Sequence, residues 1–460
     1  MQAIESPPAM PASHPALKRI LVVRNDRLGD AVLTVPAVAA VRQCWPDAHL
    51  SLLVQPSLVP FWQTIPGIDQ LLPDRTGPHV REMAASLARQ QFDAALVINT
   101  NRRNLRIVRR AGIPVRVAWS GKLASWLYGN RLVRLRRSHP PVHESVFAMA
   151  FVRRLSPELP ELPGRLSPEL ADLDPVAPAP TGLSPTVIPK SANPGGLIPT
   201  DETNARLAPV PGSTTPAPVP GTDPAPVPAV APGPVPGQPP AAPRAPVPAG
   251  CCSVIRRATV PQWSRPQIPL ASVRRVEERL TRLLGTAWRE RPLFAVHPGN
   301  RGSAANWPPH QYGELARRLT GHGNVAVTGV PAERELVHTV VDATNGNAIP
   351  ICDQPLTEFM AFLQYVDVLT ISSTGPMHLA GLLGTPTVAL FGDALAESPL
   401  KWAPLGDRCT IVTPESNEKR GDRPLRRSAK PELQLAGERV FHSVLAAARQ
   451  YEGQGRRKVG

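Results

Sequence analysis

Residues 366–391 read VDVLTISSTGPMHLAGLLGTPTVALF. Two short apolar runs, 366–371 and 387–391, flank a turn that holds Ser373, Thr374 and Gly375 and an apolar segment that ends at Gly384 and Pro386. The order is strand, glycine-containing turn, helix, strand. Strands this short and this apolar belong to a parallel sheet covered on both faces. A turn of this kind aims backbone N–H groups and a helix N-terminus at one point, where a phosphate binds without needing a cationic side chain.

The same alternation recurs on both sides of this unit. Upstream of it, helical spacing at 270–284, 310–320, 333–342 and 357–365 is interleaved with strand-like runs at 293–297, 325–328 and 348–352. Near the start of the chain, residues 19–23 read as a buried strand, 31–44 as a helix stopped by Pro46-Asp47, and 49–54 as a second strand. A helix over 80–91, a strand over 93–99 and helices over 102–110 and 143–155 follow. Such alternation predicts an α/β fold with two open parallel sheets. The expected divisions are a disordered leader at 1–17, an N-terminal Rossmann-like domain at 18–155 and a second one at 269–412. A basic loop at 413–430, a terminal helix at 431–451 and a tail at 452–460 complete the chain.

Between the two domains the composition changes. The chain of 460 residues carries 58 prolines, and 23 of them fall within residues 171–250, where Ala-Pro-Val-Pro recurs at 208, 217, 225 and 245. Residues 156–268 lack the apolar area that would offset the cost of ordering them. They are expected to be an extended, polyproline-like, low-complexity insertion.

Lysines and arginines number 51 against 36 acidic residues, a formal charge of +15. That balance suits an anionic membrane surface, a phosphorylated substrate or nucleic acid. No zinc-finger spacing, RNA-binding signature or arginine-rich helix interleaved with aromatics is present, so nucleic acid is set aside. The five cysteines form no CxxC pair, and an odd count fits free thiols in a reducing compartment. No signal-peptide pattern opens the chain, and no apolar run approaches the roughly 20 residues of a membrane span. The expected location is the cytoplasm, with room for peripheral contact at the inner face of a membrane. Residues 117–137, where Trp119, Trp126 and Tyr128 alternate with lysine and arginine, suit that contact or a lipid-linked anionic acceptor.

Residues with chemistry to offer gather at the ends of the predicted strands, where ligands of open α/β sheets bind. The loop after the first strand is Arg24-Asn25-Asp26-Arg27-Leu28-Gly29-Asp30. Arg24 and Arg27 are suited to acceptor phosphate or carboxylate. Asp30 serves either as a catalytic carboxylate or as a cap for the helix that follows. Asp26 lies on the acceptor side of the same loop and is the rival base. His297-Pro298-Gly299-Asn300-Arg301-Gly302-Ser303 follows another strand and is built to wrap a diphosphate through its backbone, with Arg301 adding charge. Asn306 lies just beyond, and Trp307 suits a nucleotide-pocket wall or packing at the start of a helix. In the third loop Ser373, Thr374, Gly375, Pro376 and Met377 are placed to meet donor phosphate or nucleotide. His378, one turn into the helix, either reaches the diphosphate or packs on the next strand.

Taken together, residues 20–37 (ILVVRNDRLGDAVLTVPA), 297–308 (HPGNRGSAANWP) and 373–384 (STGPMHLAGLLG) resemble glycosyltransferase family 9, the ADP-heptose:lipopolysaccharide heptosyltransferases. Residues 388–392 and 401–406 are similar to it too. The resemblance covers both predicted domains and excludes the proline-rich segment. It implies the GT-B architecture, two Rossmann-like domains facing a cleft, and an inverting glycosyltransferase. No DxD motif stands where a metal-dependent glycosyltransferase would need one, so metal independence is expected, with no cofactor. The resemblance makes Asp30 the general base. A nucleotide-sugar donor, ADP-heptose in the family, would sit on the second domain, and a lipopolysaccharide inner-core acceptor on the first. Two positions depart from the family pattern. Ala305 stands where the best-known members have a lysine, and Ser373 where they have an aspartate. Asn306, Ser303 and Arg301 substitute in part. The departures leave an alternative, a non-catalytic sugar-nucleotide or glycolipid-binding protein on the same fold.

Overall fold

The computed structural model describes residues 17–74, 79–136, 142–156, 260–392, 394–415 and 432–452. They all fall in one compact unit that takes in residues 1–174 and 245–460. The expected leader, the proline-rich insertion except for its last residues, most of the basic loop and most of the tail lie outside the described residues.

The first half contains β1 (Arg19–Arg24), α1 (Leu28–Cys44), β2 (His49–Val54), α2 (Val59–Trp62) and β3 (Gln70–Pro73). It continues with α3 (Val80–Ala88), β4 (Ala94–Val97), α4 (Arg102–Arg110), β5 (Val115–Trp119), α5 (Leu123–Tyr128), β6 (Arg131–Val133) and α6 (Glu144–Leu155). The second half opens with α7 (Leu270–Leu284), β7 (Leu293–His297), α8 (Pro309–Leu319), β8 (Asn324–Thr328), α9 (Arg334–Asp342) and β9 (Ala348–Ile351). It closes with α10 (Leu356–Tyr365), β10 (Val368–Ser372), α11 (Gly375–Leu383), β11 (Thr387–Leu390), α12 (Pro399–Trp402), β12 (Cys409–Val412) and α13 (Gly437–Gln450).

Each half is a six-stranded sheet with the same connectivity, β3-β2-β1-β4-β5-β6 in one and β12-β11-β10-β7-β8-β9 in the other. Every pairing is parallel. The strand order reverses beside β1 and beside β7, which puts the crevice at the carboxyl ends of β1 and β4 in one sheet and of β7 and β10 in the other. This is the expected α/β, GT-B class of fold.

Alternation along the strands divides the core into three. Leu21 and Val23 of β1 turn toward α3 and α4. Ile20 and Val22 turn the opposite way, into a large core that also takes in α1, α6, α7, α10 and α11 and one face of the second sheet. Phe294 and Val296 of β7 face a third cluster under α8, α9 and α13. The middle core is therefore common to both halves. Helix α1 is its centre. From Ala31 to Cys44 every residue except Arg42 is buried, so the helix has no solvent face and needs cover on all sides. Pro36, inside it, gives up one intrahelical hydrogen bond. Helix α11 ends where Gly384 takes the left-handed conformation (φ 76°), a geometry that costs glycine little.

Two differences from the sequence reading matter for the site. Helix α1 begins at Leu28 rather than Ala31, so Gly29 and Asp30 lie in its first turn. Strands β3, β5, β6 and β12 were not anticipated, because they are short and half-exposed.

Leu33 is fully buried in α1, whereas Leu270 at the start of α7 is 54% exposed. Leu33→Ala is expected to cost about 2–5 kcal/mol and Leu270→Ala less than about 0.5 kcal/mol, read as shifts of the urea midpoint. Equal shifts would mean that α1 is not packed on all sides.

Candidate active site

The loop from β1 to α1 is organised around one guanidinium. Arg24 is 2% exposed and is the last residue of β1. It donates from Nη2 to Asp30 Oδ1 at 2.7 Å and from Nε to the Asp30 carbonyl at 3.1 Å. Its Nε also pairs with Asp26 Oδ1 at 3.2 Å, and Nη2 with Glu144 Oε1 of α6 at 3.5 Å. Burial works against the arginine's charge, yet the Asp26, Asp30 and Glu144 carboxylates hold its pKa above the ordinary arginine value. Arg24, expected at the acceptor, is thus taken up by three carboxylates of its own chain.

The carboxylates differ among themselves. Burial pushes the Asp26 carboxyl up to about 7, opposed by Arg24 and reinforced by Asp30. Asp30 lies against Arg24 with about a fifth of its side chain exposed. Beside them, Asn25 donates to Asp74. Its Oδ1 accepts from Asn99 at 2.9 Å and from Asn104 at 2.8 Å. Arg103 grips Asp74 through two nitrogens at 2.6 and 2.8 Å. This network fixes the loop from its other side, and its members come from four separate segments.

A cavity of about 440 Å³ joins the two halves, within the usual range for a small-molecule site. From the first half it is lined by Arg27, Leu28 and Gly29 and by Gln55, Ser57 and Leu58. From the second it is lined by His297, Gly299–Arg301, Ser303, Val330, Glu333 and Thr374–Pro376. Asp30 is the next residue after this lining. The cations on the wall are Arg27 and Arg301, one from each half.

The β7 loop earns its shape from its own side chains. Asn300 Oδ1 accepts from Gly302 N at 2.9 Å, and its Nδ2 donates to the Ala304 carbonyl at 2.7 Å. Arg301 and Gly302 follow in the left-handed region, with φ of 49° and 67°. For arginine that conformation is strained, and such strain clusters at ligand sites. Gly299 lies so close to Glu333 that a Cβ would overlap its carboxylate. Ser303 donates to the Ser373 carbonyl at 3.2 Å, tying this loop to the β10–α11 turn.

In that turn Thr374 is the N-cap position of α11, but its hydroxyl makes no cap bond. Thr374 is 7% exposed, and its Oγ1 is buried without a hydrogen-bond partner on the cavity wall. A buried hydroxyl left unpaired is unfavourable until something arrives to bond it. Gly375 and Pro376 line the cavity beside it, and the N-terminus of α11 adds its partial positive charge.

Other expected donor residues lie elsewhere. Met377 is fully buried in the core. Trp307 is 1% exposed, donates to the Leu435 carbonyl at 3.1 Å and stacks edge-on with Tyr312, so it packs the third core. Asn306 donates to the Pro298 carbonyl at 2.7 Å and accepts from Tyr312 at 3.3 Å, bracing the loop from behind. Ala305 is buried, and its N–H donates to Glu397 at 2.9 Å. The two histidines are neutral near pH 7. Burial drives His297 down to about 4, and its Nδ1 lies 2.8 Å from Thr328 Oγ1. Burial, helped by His143, drives His378 down to about 3. His378 fills the space a Cβ on Gly29 would need. Gln55, Ser57 and Glu333 were missed by sequence reading, since none lies in a loop that alone suggests a ligand.

Residues 261–429 match the model of glycosyltransferase family 9 (heptosyltransferase). A putative glycosyltransferase of Haemophilus influenzae is 23% identical over 398 residues, covering 85% of this chain and 87% of that one. Lipopolysaccharide heptosyltransferase 2 of Escherichia coli is 28% identical over 130 residues, 27% of this chain and 36% of that protein. Two solved structures share the fold. A family 9 glycosyl transferase from Veillonella parvula has a TM-score of 0.63 at 16% identity, covering 95% of this chain and 100% of that one. Escherichia coli ADP-heptose lipopolysaccharide heptosyltransferase II has a TM-score of 0.60 at 16% identity, covering 94% and 99%.

Both buried histidines lie below the unfolded value near 6.5. The unfolded chain therefore binds more protons than the native one as pH falls from 6.5 toward 4, and each histidine removes about 1.4 kcal/mol of stability per pH unit there. His378→Asn is expected to flatten the acid limb of a stability-against-pH curve by about one proton. An unchanged slope would mean that His378 is charged in the native state.

Proposed function

We propose that the chain is a member of glycosyltransferase family 9, whose model its residues 261–429 match, and an inverting transferase moving a heptose or related sugar from a nucleotide-diphosphate donor. The donor is ADP-heptose in first place, and the acceptor is a lipopolysaccharide inner-core glycan at the cytoplasmic face of the inner membrane. The observation that supports this most is the shared cavity. It sets the first turn of α1, with Asp30 held by Arg24, beside the Thr374–Pro376 turn and the β7 loop.

On this reading the donor diphosphate lies at the N-terminus of α11 and against Arg301 and Arg27. The unpaired Thr374 hydroxyl takes one of its oxygens. The acceptor hydroxyl attacks the anomeric carbon from the side of α1. Its proton passes to the Asp30 carboxylate, and the bond from that carbon to the phosphate oxygen breaks. ADP leaves with the electron pair, and the anomeric centre is inverted. Arg24 and Glu144 position the base. Ser303, Asn300 and the backbone of Gly299 and Gly302 shape the donor loop. His297 and His378, being neutral, contribute hydrogen bonding and packing rather than charge.

One observation favours a second assignment of the base. Asp26 has a carboxyl raised to about 7 and shares Arg24 with Asp30. A base with that pKa is mostly protonated below neutrality and gains basic form as pH rises through 7. Two carboxylates on one guanidinium titrate as a pair, so a single rate profile reports the pair.

The test is acceptor-dependent ADP release from ADP-heptose with a deacylated lipid A–inner-core acceptor. It is run on the wild type, Asp30→Asn and Asp26→Asn across pH 5–9. Asp30→Asn is expected to lower kcat by about 10²–10⁴-fold, with Asp26→Asn retaining activity but losing the rise near pH 7. The reverse pattern would transfer the role to Asp26. No release by the wild type with any nucleotide-sugar donor would sink the proposed reaction.

A further inference from the structure

Between Asp93 and Glu144 the chain runs for fifty residues with eleven lysines and arginines and not one aspartate or glutamate. The whole chain carries a net +15, so most of its excess charge is concentrated here. The segment folds as the outer edge of the first sheet, comprising β5 and the edge strand β6 together with α4 and α5. Of these cations Arg103 has Asp74 as a partner. Arg109, Arg110, Lys122, Arg134 and Arg136 are exposed with no carboxylate within 4 Å among the described residues. Arg109 lies close enough to Arg116 to depress its pKa, after the effect of burial. Like charges crowded in this way are unfavourable until an anionic surface meets them.

The same edge exposes apolar side chains. Leu123 is 80% exposed, Leu127 63% and Trp126 57%, all on α5. These are three of the six large hydrophobic residues found exposed among the described residues. Trp126 is held in place, because its indole N–H donates to the Ser120 carbonyl at 2.9 Å. Its polar end is satisfied by the chain, and its ring faces outward. Lys122 precedes the helix, its ammonium 5.9 Å from the Trp119 ring.

Apolar side chains including a fixed tryptophan, within an unbroken field of cations, match an anionic lipid interface. The rings and leucines enter the acyl boundary while the cations meet headgroup phosphates. A soluble polyanion explains the cations but leaves Leu123 and Leu127 in water. We propose that the α5 edge docks on an anionic phospholipid bilayer, with Leu123, Trp126 and Leu127 inserted and Lys122, Arg134 and Arg136 on the headgroups. This deepens the reading of a lipid-linked acceptor, and it is tested without any sugar transfer.

The full chain is sedimented with vesicles of phosphatidylcholine alone and with vesicles that also contain phosphatidylglycerol. The wild type is expected to bind the anionic vesicles, more weakly as salt rises, and to stay in solution with the neutral ones. The triple variant Leu123→Ser, Trp126→Ser, Leu127→Ser is expected to bind about ten-fold more weakly while melting at the same temperature, since all three side chains already face water. The variant Lys122→Gln, Arg134→Gln, Arg136→Gln is expected to bind more weakly and with a shallower salt dependence. Wild type that ignores anionic vesicles, or apolar variants that bind as well as wild type, would overturn the proposal. Retention on heparin without vesicle binding would assign the patch to a soluble polyanion instead. Loss of vesicle binding with ADP release intact on the deacylated acceptor separates this surface from the reaction, and vesicle binding without sugar transfer leaves it standing alone.

Discussion

Helix α1 has no polar face. Its residues from Ala31 onward are buried on every side apart from Arg42, and a helix of that kind is unstable unless something covers it all round. One sheet supplies a single cover and α6 another. The remaining side is closed by α11 of the second half, so that Leu28 meets Gly375 and His378 meets Gly29. The hydrophobic requirement of one helix thus brings the start of α1 to the start of α11. Those two helix N-termini are also where the cavity lies. Burying the helix and assembling the site are one event, and the small residues Gly29 and Gly375 are what allow the two starts to approach so closely.

Electrostatics is subordinate to that packing. Arg24 ends a strand inside the core, where an isolated guanidinium would be strongly unfavourable. Three carboxylates compensate it, and they come from its own loop, from α1 and from α6. Burial is what displaces the Asp26 carboxyl toward neutrality, opposed by Arg24 and reinforced by the neighbouring Asp30 and Glu144. Removing Glu144 would therefore alter Asp26 and Asp30 without touching either, because all three share one counter-charge.

The inner strands were legible in the sequence because β1, β2, β7, β8, β10 and β11 are covered on both faces and read as apolar runs. Strands β3, β5, β6 and β12 escaped notice. They have a half-exposed face, and their three to five residues offer too little pattern for a period of two. The loops that end the inner strands could be located for the same reason that the strands could. What each side chain does within a loop could not be read. Trp307 and Met377 point into cores whose other walls, Leu435 and the neighbours of α11, come from segments remote in sequence. Arg24 looked like a ligand for phosphate because its partner Glu144 lies 120 residues away. Glu333 was overlooked, because its place in the cavity wall beside Gly299 is set by the fold and not by its own loop.

The cavity's positive charge is divided between the halves in a way that bears on the departures at Ala305 and Ser373. Ala305 is buried with its backbone N–H bound to Glu397, and it brings no cation to the cavity. On the proposed reading, a diphosphate in this cavity meets Arg301 from the second half and Arg27 from the first, both of which line it. A counter-ion set drawn from one half would bind the donor whatever the other half did. A set drawn from both makes the donor's charge a bridge between them, and the bridge ends on the loop that carries Asp26 and Asp30. Under the proposed reaction, donor binding then stabilises the arrangement in which the base faces the anomeric carbon. Binding energy from the remote phosphates is converted into orientation at the reacting atoms.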